Sequence, residues 1–154
     1  MDREELLYRI EYSYNFERLF SALTWRIDKL ISLALLVLGS AVFSGVRGVF
    51  WYGLAVAVLT AIQMTYQYAK SSEHSSRQSR EYLKLLTLES RYSDDELLDK
   101  LVELEDNDLK PWLILSDISL VRTNIRKEYP EDQDPHLSRT KRFIAWFAGD
   151  NPRR

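Results

Sequence analysis

No cysteine occurs among the 154 residues, so neither a disulfide framework nor a thiolate metal site is available to this chain. A cysteine-free composition suits a cytosolic face. Histidine is nearly as scarce. His74 and His136 are the only two, and neither has a second histidine or a carboxylate at the spacing of a helical zinc motif, so both are expected on the solvent surface. Glycine and proline number five and four, and neither occurs from residue 1 to 38 or from 54 to 110. Helix breakers are thereby confined to one short region near residue 48 and to the C-terminal third, which predicts long uninterrupted helices. Net charge is only -2, which argues against a polyanionic partner in bulk. No serine or histidine lies in a nucleophile motif. Gly45-Val46-Arg47-Gly48 lacks the preceding strand, the helix start and the lysine of a phosphate-cradling loop. The eight acidic residues within 94–108 lack the glycine and the oxygen-ligand spacing of an EF-hand loop, so a solvated helix face is expected there. Enzyme chemistry, a cofactor and a resident metal are not expected.

What the chain does contain is two uncharged apolar stretches, 30–46 and 48–69, separated only by Arg47. They hold 17 and 22 residues, against roughly 20 residues needed to cross the ~30 Å hydrocarbon core of a bilayer at ~1.5 Å per residue. So short a connection returns the chain to the side it came from, and the expectation is a membrane hairpin of two antiparallel helices. A buried hairpin in a soluble protein is the competing reading, but 154 residues build too small a core to hide both helices on all sides. The mean hydropathy of -0.31 reflects dilution by the polar flanks. The mixed-charge start, MDREELLYRI, and the roughly thirty residues before the apolar run are unlike a cleavable signal peptide, so the hairpin is expected to persist.

Arg18, Arg26 and Lys29 flank the first stretch, Lys70, Arg77, Arg80 and Lys84 follow the second, and the turn carries Arg47 alone. The positive-inside bias then places both termini in the cytoplasm. Trp25, Phe50, Trp51, Tyr52, Tyr66 and Tyr68 fall where interfacial aromatic belts would lie.

Leu6, Ile10, Phe16, Leu19, Phe20 and Leu23 keep near one helical stripe, so the first span should continue as an amphipathic helix over 1–29. The hairpin occupies 30–69. A cytoplasmic helical region, 70–129, follows: the second span runs on through 75–90, Ser93-Asp94-Asp95-Glu96 has the form of a capping box, and its helix turns Leu97, Leu98, Leu101, Val102 and Leu104 inward. Pro111 suits the first turn of the next helix, with Ile114, Ile118, Val121 and Ile125 on one stripe. Tyr129-Pro130 ends it, and an acidic loop with a basic-aromatic tail fills 130–154. The fold expected is an all-α membrane protein, a two-helix transmembrane hairpin extended into a cytoplasmic helical bundle.

Inside the second span, Gly53, Ala57 and Ala61 recur at i, i+4, i+8, a spacing that lets helix backbones approach closely. Thr60, Gln63 and Gln67 fall within about a 60° arc beside them at 100° per residue. Such amides in hydrocarbon require partners or water. They either bond across helices or line a polar path after oligomerisation, with Gln67 near the headgroups. The tail combines three basic residues, Arg139, Lys141 and Arg142, with Phe143, Ile144, Trp146 and Phe147, which suits a helix lying on an anionic membrane surface. A helix packed on the cytoplasmic bundle has the same pattern. The patch is short and without a reading motif, so sequence-specific nucleic-acid binding is not expected.

The long N-terminal helix with Tyr14, Phe16 and Trp25, the tight hairpin with Gly39-Ser40 and Trp51-Tyr52, and the polar helix from Tyr68 to Glu81 together resemble the SLATT proteins over roughly residues 8–129. These are bacterial two-transmembrane effectors found beside nucleotide-signal synthases, reverse transcriptases and other defence sensors. The resemblance implies a pore-forming toxin of the inner membrane that acts in antiviral defence by abortive infection. It would be held quiet by a sensor encoded nearby, then oligomerise in the lipid and permeabilise it. The partner would be a reverse transcriptase with its DNA–RNA product, as in some retrons, or a nucleotide-signal synthase. A non-conducting membrane anchor or assembly subunit, such as a superinfection-exclusion factor, fits the same layout. A holin-like lysis protein fits less well, because holins are usually much shorter. The tail after Pro130 lies outside the shared layout.

Overall fold

A computed structural model describes residues 2–43, 48–109 and 112–150. Every regular element among them is helical. Helix α1, Arg3–Phe43, runs for 41 residues, about 60 Å at ~1.5 Å per residue. It starts with the Asp2 carboxylate accepting the Arg3 amide at 2.7 Å and with Glu4 and Glu5 in the first turn, both suited to the positive helix N-terminus. Helix α2, Val49–Tyr66, returns alongside it, and α3, Tyr68–Thr87, continues in the same direction. Three shorter α-helices follow among the described residues: α4, Asp94–Glu105; α5, Ser116–Arg126; and α6, Arg139–Phe147.

The run Val49–Thr87 holds an 18-residue window with a mean hydropathy of 1.4, none of it buried. It is long and apolar enough to cross a membrane by length and composition. In α1 the uncharged part within the described residues is 30–43. These 14 residues reach about 21 Å at ~1.5 Å each, and the rest of that stretch, with all of the turn expected at 44–48 except Gly48, lies outside the described residues. Gly48 begins α2 at φ 94°, a left-handed conformation for which glycine has no steric penalty.

The apolar stripe expected on α1 is buried in full and divides between two cores. Leu6 and Ile10 pack with Tyr82, Leu85, Leu97 and Leu101 of α3 and α4. Phe16, Leu19, Phe20 and Leu23 pack with Leu115, Ile118, Ala145 and Ala148 around α5 and α6. α1 is therefore the spine, and each later helix covers one side of it. The capping box at Ser93 is formed: Ser93 Oγ accepts from the Glu96 amide, and Glu96 accepts from the Ser93 amide at 2.9 Å. Six of the eight acids in 94–108 face solvent as expected, whereas Glu105 and Asp108 are half-buried.

Four expectations need correction. The second helix does not run straight from 48 into 75–90. It breaks at Gln67, which adopts φ 45°, ψ 48°, and Gln67 is where the apolar composition gives way to polar. Val102 is exposed rather than inward. His74 is half-buried, its Nε2 2.7 Å from the Asn107 carbonyl, where it closes the end of α4; His136 is exposed as expected. The helix assigned to Pro111 begins five residues later, at Ser116, after a 3₁₀ turn Leu113–Leu115; Pro111 itself lies outside the described residues.

Candidate membrane hairpin and its polar seam

The two faces of α2 are sharply different. Ala55, Val56, Leu59 and Ile62 are half-buried on the side of α1, where Ile31, Ala34, Leu35 and Leu38 are half-buried in turn. Gly53, Ala57, Thr60 and Ala61 lie on the opposite face and are exposed. A Cβ added at Gly53 would meet nothing within 4 Å. The small-residue stripe thus takes no part in the contact between α1 and α2.

The three polar residues expected to share an arc are separated by their partners. Gln63 turns toward α1, and its side-chain amide donates to Asp28 Oδ1 at 3.1 Å and to Ser32 Oγ at 3.2 Å. Thr60 points outward with the small stripe, and Gln67 is the exposed residue at the helix break. Gln63 thus makes hydrogen bonds between the two helices of one chain. Asp28 was not singled out from the sequence, because it sits between Arg26 and Lys29 and reads as part of a mixed-charge flank. It is nonetheless only 8% exposed.

Asp28 belongs to a longer pattern. Ser13, Glu17, Ser21, Thr24, Asp28 and Ser32 recur at intervals of four, four, three, four and four, an arc of about 100° at ~100° per residue. This face meets α3 below Gln67 and α2 above it. Ser21 and Ser72 exchange hydroxyl-to-carbonyl bonds at 2.9 Å in both directions. Ser75 faces Glu17, and Ser13 reaches Tyr82. The interface of α1 with α3, the most extensive in the fold, is therefore apolar only at its foot and hydroxyl-rich above. A spacing search for carboxylates and hydroxyls on α1 finds this seam; a search for apolar residues cannot.

Glu17 is 2% exposed. Burial is the main cause that pushes its carboxyl up to about 7, with Ser75 opposing the shift, Asp108 adding to it and His74 opposing it. Asp108 is itself raised, mainly by burial, although Tyr82 and Gln78 favour its charged form. Tyr82 donates to Asp108 Oδ2 at 2.7 Å, and Gln78 donates to the Leu104 carbonyl. His74, Gln78 and Tyr82, one turn apart on α3, thereby grip the C-terminal end of α4.

At the other end of the seam α6 is fastened beside α1. Ser138 Oγ accepts the Lys141 amide at 3.3 Å to start it. Gly149 ends it at φ 83°, with the Gly149 amide donating to the Trp146 carbonyl and the Asp150 amide to the Ala145 carbonyl, both at 2.9 Å. This is a Schellman closure. The Asp150 carboxylate, 4% exposed, pairs with Arg18 at 2.9 Å and Arg122 at 3.5 Å. Arg26 donates to the Phe147 carbonyl. Two of the three cations expected to flank the first stretch therefore hold α6, Arg26 half-buried and Arg18 exposed; Lys29, also exposed, lies over the Trp25 ring.

The tail residues divide between two surfaces. Lys141 pairs with Asp117, and Phe147 is half-buried. Arg139, Arg142, Phe143 and Trp146 are exposed, the rings of Phe143 and Trp146 5.8 Å apart. Arg26, the anchor of α6, lies four residues before the uncharged stretch begins, about 6 Å along the helix. No family model, curated protein or solved structure matches the chain.

Proposed function

We propose that the chain is a bacterial inner-membrane effector in which 30–69 forms a transmembrane hairpin. Both termini face the cytoplasm, and copies of the chain assemble through α2 to permeabilise the bilayer. The observation that carries this reading is the outer face of α2. Gly53, Ala57 and Ala61, with Thr60 beside them, are exposed while apolar side chains take the contact with α1. Small residues let helices pack closely in lipid, where hydrophobic burial no longer drives association. The layout shared with SLATT proteins supports a defence role, with release by a neighbouring sensor protein. The exposed pair Phe143 and Trp146, with Arg139 and Arg142, forms a face suited to anionic headgroups at the inner leaflet. A non-conducting anchor is the second reading, favoured by one observation: Gln63 is bonded to Asp28 within its own chain and so is withdrawn from any polar path.

The experiment is membrane potential during induced expression, paired with cross-linking in membranes, for the parent, Gly53→Leu and Ala57→Leu. Depolarisation by the parent that falls together with oligomer yield in both variants, while insertion persists, supports the effector. Oligomers without depolarisation support the anchor. Full killing and full cross-linking by both variants would show that the stripe faces lipid and would end the assembly model.

A further inference from the structure

An open groove of about 530 Å³ lies between α1 and the first turns of α3. Arg18, Trp25 and Arg26 line it from α1, and Ala22 and Ala69, one on each helix, leave it room. Its charges are not balanced. Among the described residues three arginines are half-buried, Arg3, Arg26 and Arg122. Arg3 pairs with Asp94 at 2.6 Å and Arg122 with Asp150 at 3.5 Å, whereas Arg26 donates to the uncharged carbonyl of Phe147. A half-buried cation without a counter-ion is costly. Arg18 adds to the excess, because it shares the single Asp150 carboxylate with Arg122. Glu73, the one acid on the wall of the groove, is paired with Arg77.

We propose that this groove binds the phosphate headgroup of one anionic phospholipid of the inner leaflet, with Arg26 and Arg18 as its cationic partners. Each guanidinium has five N–H donors. Arg26 gives Nη1 to Phe147 and Arg18 gives Nη2 to Asp150, so both keep donors for a phosphate, whose geometry suits bidentate bonds from arginine. Depth selects the source of that phosphate. Arg26 is four residues, about 6 Å, short of the uncharged stretch, and the headgroup layer of a bilayer is roughly 5–8 Å deep on each side. On the reading that 30–69 spans the membrane, on which this site rests, the groove opens among headgroups. Trp25, 53% exposed beside it, is the residue type favoured at that level, and the methyl groups of Ala22 and Ala69 suit a glycerol backbone better than a hydrated ion. A basic recess between helices on the cytoplasmic side is a recognised form of lipid site. Phe143 and Trp146, on the exposed face of α6, do not line it.

Insertion is measured first, by the resistance of the expressed chain to alkaline extraction from membranes; a chain that is extracted overturns both the hairpin and this site. The inserted full chain is then purified in detergent micelles and offered phosphatidylglycerol and phosphatidylcholine with the same acyl chains, and intact complexes are counted by native mass spectrometry. Expected is one phosphatidylglycerol retained per chain, at least tenfold over phosphatidylcholine and undiminished by inorganic phosphate. Arg26→Gln should lower retention roughly tenfold. Ala69→Phe, which fills the groove and leaves every cation, should do the same and guards against a loosened α6 in the charge variant. Arg91→Gln, which removes an exposed arginine from the 3₁₀ turn at the far end of α3, should retain the lipid as the parent does. Equal retention of the two lipids, displacement by inorganic phosphate, unaltered retention in Ala69→Phe, or an equal loss in Arg91→Gln would each overturn the headgroup site while leaving the hairpin and its assembly standing.

Discussion

Glu17→Gln should stabilise the protein at pH 8 and leave it unchanged at pH 4. The wild-type carboxyl rises from 4.5 to about 7 on folding, chiefly by burial, which at ~1.36 kcal/mol per pH unit amounts to about 3 kcal/mol. Below pH 4.5 the group is neutral in both folded and unfolded chains and contributes no penalty. Between 4.5 and 7 the unfolded chain releases its proton while the folded chain keeps it, so stability falls as pH rises. Above 7 both are ionised and the full penalty of about 3 kcal/mol persists. Glutamine has nearly the same shape and no charge, so the variant lacks that slope. Urea unfolding of the full chain in detergent, followed by tryptophan fluorescence at pH 4, 5.5, 7 and 8, measures the difference between parent and variant. Taking the difference cancels every group the two share. A gap that opens steadily from pH 4.5 and levels off above 7 is expected. A constant gap, or a parent that gains on the variant as pH rises, would refute the burial argument and place an ionised, solvated Glu17 in the seam.

Gln63→Leu removes the amide that donates to Asp28 at 3.1 Å and should lower thermal stability in detergent by about 1–3 kcal/mol. Adding Asp28→Leu should restore most of it, because both polar partners are then gone; no restoration would mean that Asp28 has another essential role. Gly149→Ala places a Cβ 2.7 Å from the Arg26 guanidinium at φ 83° and should cost about 1–3 kcal/mol, with faster hydrogen exchange at the Gly149 and Asp150 amides as α6 loosens. Gly53→Leu, where a Cβ meets nothing, should leave monomer stability within about 0.5 kcal/mol and act on assembly alone.

The composition of the chain alone determined where its helices are long, because breakers are absent from 1–38 and 54–110. The capping box at Ser93 and the apolar stripe of α1 were also legible, since each depends on spacing within one helix. The small-residue stripe was legible as a stripe, but its direction was not. Which side of α2 meets α1 depends on how two helices rotate against each other, and apolar residues occur on both sides. The same limit hid Asp28. A carboxylate between Arg26 and Lys29 looks like a solvated flank until Gln63, 35 residues away, is brought against it. It also hid the conversion of Arg18 and Arg26 from flanking charges into anchors for Asp150 and the Phe147 carbonyl. Local periodicity states which residues share a face, because that follows from ~100° of rotation per residue. What covers the face is decided by contacts between residues far apart in sequence, and only tertiary packing brings those together.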